Sequence, residues 1–212
     1  MNIEFDTMKP MEIEKRSFEI IESELKFPID EKIKPVVKRV IHTTADFSYA
    51  ETLCFSENAV DDFIKEIKNG TGIITDTNMA KAGINKKACE KFGINVECFM
   101  SDKDVAEKAK KDGTTRAVAS IDKACERKER YIFVVGNAPT ALIRLYELME
   151  EEKIKPAAIV SVPVGFVNVV EAKELIISLK DVPFIVARGR KGGSNVAASI
   201  INALMYMAGG RE

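Results

Sequence analysis

Five short apolar runs, residues 72–75, 94–100, 131–135, 157–162 and 183–187, alternate with helical periodicity through the later two-thirds of the chain. A half-solvated strand alternates apolar and polar residues, whereas these runs are apolar on both faces and so need cover above and below. Separated by stretches of 3.6-residue periodicity, they predict a three-layer α/β/α sandwich. Its sheet is expected to be mainly parallel, five-stranded and flavodoxin-like, with helices added at the N-terminus. With 212 residues, 46% of them hydrophobic, and no linker, repeat or low-complexity stretch, one domain over residues 1–212 is the simplest account.

Ahead of the sheet, Thr7 to Pro10 reads as a helix start, and Ile13, Ile20, Ile21 and Leu25 fall on one stripe. Ser17 lies on that stripe too. Its hydroxyl either bonds back to the preceding turn or meets a ligand. The next helix turns Ile33, Val36, Val37, Val40 and Ile41 inward, with Pro35 in its first turn, and delivers Arg39 and His42 to its end. A third helix opens on Ser56 as N-cap and stops at Asn69-Gly70. Later helices are marked by Ser101 with Asp104 three residues on, and by the stripe Ala141, Leu142, Leu145 and Leu148.

His42 is the only histidine. Imidazole, with an unperturbed pKa of about 6.5, both gives and accepts a proton near neutrality. The plain alternative for a lone histidine is a satisfied capping or core residue.

The 32 basic and 33 acidic residues leave a net charge of −1, so no global field points to nucleic acid or to a membrane surface. Any anion must be held locally. No apolar run approaches the roughly 20 residues needed to span a bilayer, and the first residues lack the pattern of a signal peptide, which predicts a cytoplasmic protein. Cys54, Cys89, Cys98 and Cys125 form no Cys-x-x-Cys pair, so neither zinc nor disulfides are expected.

In a sheet of this kind ligands gather beyond the carboxyl ends of the strands. The segments there are Asp76-Thr77-Asn78-Met79, Gly136-Asn137-Ala138-Pro139-Thr140, Pro163-Val164-Gly165-Phe166 and Arg188-Gly189-Arg190-Lys191-Gly192-Gly193-Ser194-Asn195. The last combines three cations with three glycines, with Ser194 as the expected helix cap, and is the strongest local anion site. It is not a Walker loop, because Lys191 precedes both following glycines, and no Gly-x-Gly-x-x-Gly follows the first strand.

These four loops, together with Arg39-Val40-Ile41-His42-Thr43-Thr44-Ala45-Asp46 and the continuation Val167-Asn168-Val169-Val170-Glu171-Ala172-Lys173, closely resemble the precorrin-8X methylmutase family, including its cobalt-precorrin-8 branch. The resemblance runs nearly end to end. It implies an isomerase that moves a methyl group from C-11 to C-12 of a corrin precursor, a tetrapyrrole, without a cofactor. It also implies a homodimer with the site near the subunit boundary. His42 matches the family's histidine, held to act on a ring nitrogen, and Ser17, Arg39 and Arg116 match positions around the substrate. Met79, Val164 and Phe166 are expected against the ring, and Arg39, Arg116, Arg188, Arg190 and Lys191 against its carboxylates. Thr43, Asn78, Gly136, Asn137, Ala138, Gly165, Gly192 and Gly193 complete the expected site. A corrinoid carrier without catalysis, and another α/β enzyme acting on a carboxylated or phosphorylated metabolite, are the alternatives. Whether the ring carries cobalt is open at this level.

Overall fold

The computed structural model describes residues 9–210. The chain opens with α1 (Pro10–Glu24), α2 (Lys34–Thr44), α3 (Tyr49–Thr52), β1 (Leu53–Phe55) and α4 (Ala59–Lys68). Then come β2 (Ile73–Thr75), α5 (Asn78–Gly83), α6 (Lys86–Phe92), β3 (Val96–Glu97), α7 (Lys103–Lys111) and α8 (Arg116–Glu126). It continues through β4 (Ile132–Val135), α9 (Pro139–Glu150), β5 (Ala158–Ser161), α10 (Val169–Ile177), β6 (Phe184–Ala187) and α11 (Ser194–Met205), with a last π-helical turn at Tyr206–Gly210.

The pleat explains the layers. Along β4, β5 and β6 every residue is buried, and alternate side chains leave opposite faces. Ile132, Val134, Ala158, Val160, Ile185 and Ala187 enter one apolar core with α2, α4, α6 and α11. Phe133, Val135, Ile159, Phe184 and Val186 enter the other, with α7, α8, α9 and α10. The strands lie in the order β1-β6-β5-β4-β2-β3, all parallel except β1, which runs antiparallel to β6. Counted along the chain, the five parallel strands are arranged 2-1-3-4-5, the flavodoxin-like order. The sixth strand, β1, is only three residues long and follows directly on α3, so no periodicity announces it.

Several helix boundaries differ from expectation, each for a local reason. Thr7 lies outside the described residues, and α1 begins at Pro10. Ile21 is buried, but Ile13 and Ile20 stay 51% and 41% exposed because α1 packs chiefly on α2. Asn58, in the left-handed conformation, takes the N-cap of α4. Ser56 is spent elsewhere: its hydroxyl accepts the Phe184 N–H at 2.9 Å and fixes the start of β6. Asp102 stands at the N-cap of α7, while the Ser101 hydroxyl accepts from the Asn78 amide at 2.8 Å. Gly193 precedes α11, so Ser194 is its first residue rather than its cap. The stop at Asn69-Gly70 and the buried stripe of α9 are as expected. Among the described residues no helix is long and apolar enough to cross a membrane.

Phe133, in the middle of the sheet, is fully buried. Truncating it, Phe133→Ala, is expected to lower stability by about 3–5 kcal/mol, read from the urea midpoint at unchanged m-value.

Candidate active site

Asp76 follows β2 at the point where the chain's connections diverge: β3 lies on one side of β2, and β4, leading on to β5, on the other. Such a switch point opens a crevice between the two strand ends. Here a carboxylate closes it. Asp76 is 4% exposed, and its two oxygens accept the N–H groups of Gly136 at 2.8 Å, Asn137 at 2.8 Å and Ala138 at 2.7 Å. Burial pushes the carboxyl pKa up, against the pull of the three amides.

From Asp76 the loops are joined one to the next. The Thr77 hydroxyl caps α5 by accepting the Ala80 N–H, and shares a 2.7 Å hydrogen bond with the Ser194 hydroxyl. Gly136 is needed at this approach, since a Cβ there would lie 2.9 Å from the Ser194 Cα. The Gly193 N–H donates to the Val162 carbonyl at 2.9 Å and the Gly165 N–H to the Arg190 carbonyl at 3.1 Å. Gly192 has φ +159, and any Cβ would fall 2.0 Å from the Val162 oxygen. Lys173 donates from inside to the carbonyls of Gly189 and Lys191. On the outside the Lys191 ammonium donates to Asp46 at 2.5 Å and Ser48 at 2.9 Å, and holds the Asp46 carboxyl below the usual carboxylate range. That contact ties the end of α2 to the rim.

His42 is exposed near that helix end, its ring stacked on Phe18 of α1 at 5.2 Å and 30°. Neither ring nitrogen has a hydrogen-bond partner among the described residues. Arg39 pairs with Glu14 at 2.6 Å and lies 4.7 Å over the Phe18 ring and 5.4 Å from the Tyr206 ring. It lines a crevice of about 420 Å³ with Phe18, Lys34, Tyr206 and Met207. The Ser17 hydroxyl donates back to the Ile13 carbonyl at 2.8 Å, and that of Thr43 to the Arg39 carbonyl at 2.9 Å. Neither makes a hydrogen bond to the rim.

Around the rim, Met79, Val164 and Phe166 are 72%, 48% and 80% exposed, as is their neighbour Val167 at 77%. Arg116 opens α8 behind the Thr115 cap, exposed, its guanidinium without a hydrogen bond or ion pair among the described residues. Thr115 and Thr140 share a 3.1 Å hydrogen bond that sets α8 beside α9. The basic loop is less open than its composition predicts. Lys191 is engaged by Asp46, Arg188 lies 3.6 Å from Glu174, and only Arg190, 5.5 Å over the Phe166 ring, has no carboxylate partner there. Two organising residues, Asp76 and Lys173, were legible only as members of longer stretches. An acid directly after a strand was the available signal for the first, and a lysine on the apolar stripe of α10 for the second.

A flavodoxin-like sheet whose carboxyl edge is a hydrogen-bonded rim bearing exposed apolar side chains and unpaired arginines defines an α/β protein suited to a broad, carboxylate-bearing ligand. Residues 12–207 match the family model described as Precorrin-8X methylmutase, and the chain belongs to that family. The cobalt-precorrin-8 methylmutase of Priestia megaterium is 42% identical over 203 residues, 95% of this chain and 90% of that protein. The precorrin-8X methylmutase of Pseudomonas aeruginosa is 33% identical over 194 residues, 91% of this chain and 93% of that protein. The crystal structure of a precorrin-8x methyl mutase from Thermus thermophilus superposes with a TM-score of 0.88 at 38% identity, covering 95% of this chain and 98% of that one.

Two outcomes follow from the rim. Gly192→Ala forces a Cβ into the Val162 carbonyl and is expected to abolish soluble expression or lower the melting temperature by more than about 8 °C. Burial lowers the Lys173 pKa to about 8 from 10.5. The unfolded chain therefore binds the extra proton between those values, and stability is expected to rise with pH across that window. A denaturant series from pH 7 to 10.5 should show this rise in the wild type and a flatter profile in Lys173→Met.

Proposed function

We propose that this chain is an isomerase of corrin-ring biosynthesis that shifts a methyl group from C-11 to C-12 of the precorrin-8 ring, giving the hydrogenobyrinate or cobyrinate skeleton. The observation that carries the reading is the state of His42: exposed, its ring stacked on Phe18, with neither nitrogen hydrogen-bonded among the described residues. A proton or hydrogen bond delivered from this imidazole to a ring nitrogen draws electron density out of the conjugated system. That lowers the barrier to a suprafacial 1,5-shift, in which one C–C bond breaks, another forms and no atom is lost.

The remaining residues divide by chemistry. Met79, Val164 and Phe166 offer apolar surface to the macrocycle, and Arg116, Arg190, Arg188, Lys191 and Arg39 offer charge to its acetate and propionate groups. The amides of Gly136, Asn137 and Ala138 are already held by Asp76, so that loop contributes shape rather than free donors. Ser17, Thr43, Asn78, Gly165, Gly192 and Gly193 line or brace the same region.

The higher identity to the cobalt-precorrin-8 enzyme than to the precorrin-8X enzyme, 42% against 33%, favours a cobalt-containing ring as substrate. A homodimer with the ligand near the subunit boundary is also proposed. It is supported by the apolar residues that α1 leaves exposed, Ile13 and Ile20.

Incubation with cobalt-precorrin-8 should shift the visible spectrum at constant product mass, faster than with the metal-free ring. A stoichiometric perturbation without turnover would instead indicate a carrier. His42→Ala and His42→Asn are each expected to lower kcat at least about 1000-fold while ring binding remains measurable by absorbance titration; wild-type rates in either variant refute the assigned role.

A further inference from the structure

Lys173 stands on α10 with its side chain wholly buried. Among the described residues it has no carboxylate partner; its ammonium donates to the carbonyls of Gly189 at 2.7 Å and Lys191 at 2.8 Å. Burying an ammonium without a counter-charge is strongly unfavourable, which is why its pKa falls to about 8. It nonetheless remains mainly protonated at neutral pH.

The two acceptors are two residues apart, and the carbonyl between them, that of Arg190, turns the other way to accept the Gly165 N–H. The backbone at residue 190 is thus gripped from both sides. Gly189, Gly192 and Gly193 all have positive φ, so the loop has little rigidity of its own. With the carbonyls held, the Arg190 guanidinium rests over Phe166, with no carboxylate partner among the described residues.

We infer that Lys173 is a positioning residue for substrate binding: it gathers the carbonyls of Gly189 and Lys191 as an internal cation and so fixes Arg190 beside Phe166 to receive a peripheral carboxylate of the ring. This rests on the proposed substrate only for the identity of that anion.

Lys173→Met keeps the side-chain bulk and removes both hydrogen bonds. With cobalt-precorrin-8, KM is expected to rise about tenfold while kcat stays within about twofold. In an Arg190→Gln background the same change should add little, because the two residues act through one contact. Unchanged KM, full additivity with Arg190→Gln, or a loss confined to kcat overturns the inference. A second measurement needs no substrate. Arg188, Arg190 and Lys191 are tryptic sites, and native-state trypsin digestion should cut this loop in Lys173→Met about tenfold faster than in the wild type, at unchanged circular dichroism. Equal cleavage rates refute the role of Lys173, whereas a wild type that fails to turn over refutes only the substrate reading. Should Lys173→Met not fold, Lys173→Gln, which keeps a donor, is expected to give smaller changes in the same directions, and no change in either readout refutes the role.

Discussion

A single buried carboxylate holds the working edge of this sheet together. Asp76 accepts three successive amides from the loop after β4, at the place where a flavodoxin-like sheet would otherwise gape. Burial opposes the ionised form of this carboxyl, and the three donors favour it. Once β2 and β4 are locked at their ends, Thr77 can meet Ser194, the start of α11 is set, and the glycine loop can lie against Val162. Each neighbouring loop therefore inherits its position from the one before.

The outcome is a site assembled from elements far apart in sequence, in which polar backbone is largely consumed internally. What is left facing outward is apolar surface and side-chain charge: Phe166 beneath Arg190, Met79, Val164 and the free Arg116. This division suits a large conjugated ring with acidic arms better than a small phosphate, which would draw on the very amides that the fold has already used.

The layering of the fold was legible because buried parallel strands show as uninterrupted apolar runs, and the runs containing β4, β5 and β6 are unambiguous. β1 was not, since three residues on an edge carry no period. Serines misled in a consistent way: Ser56, Ser101 and Ser194 each sit beside a helix start, yet their hydroxyls serve long-range partners, Phe184, Asn78 and Thr77, that only the tertiary structure supplies. His42 was legible by its uniqueness and its place at a helix end, but its stacking on Phe18 depends on how α1 crosses α2. The role of Lys173 was not legible, because a buried cation held by two backbone carbonyls has no acidic partner in the sequence, and its place on the apolar stripe of α10 was the one signal.

The edges of the sheet carry a consequence of their own. β1 and β3, the outermost strands, are three and two residues long. Little open backbone ladder remains on either side to template a further strand from a neighbouring molecule. Short edges of this kind work against edge-to-edge growth of the sheet into a continuous ribbon, and they leave the helices and loops as the broad surfaces of the molecule.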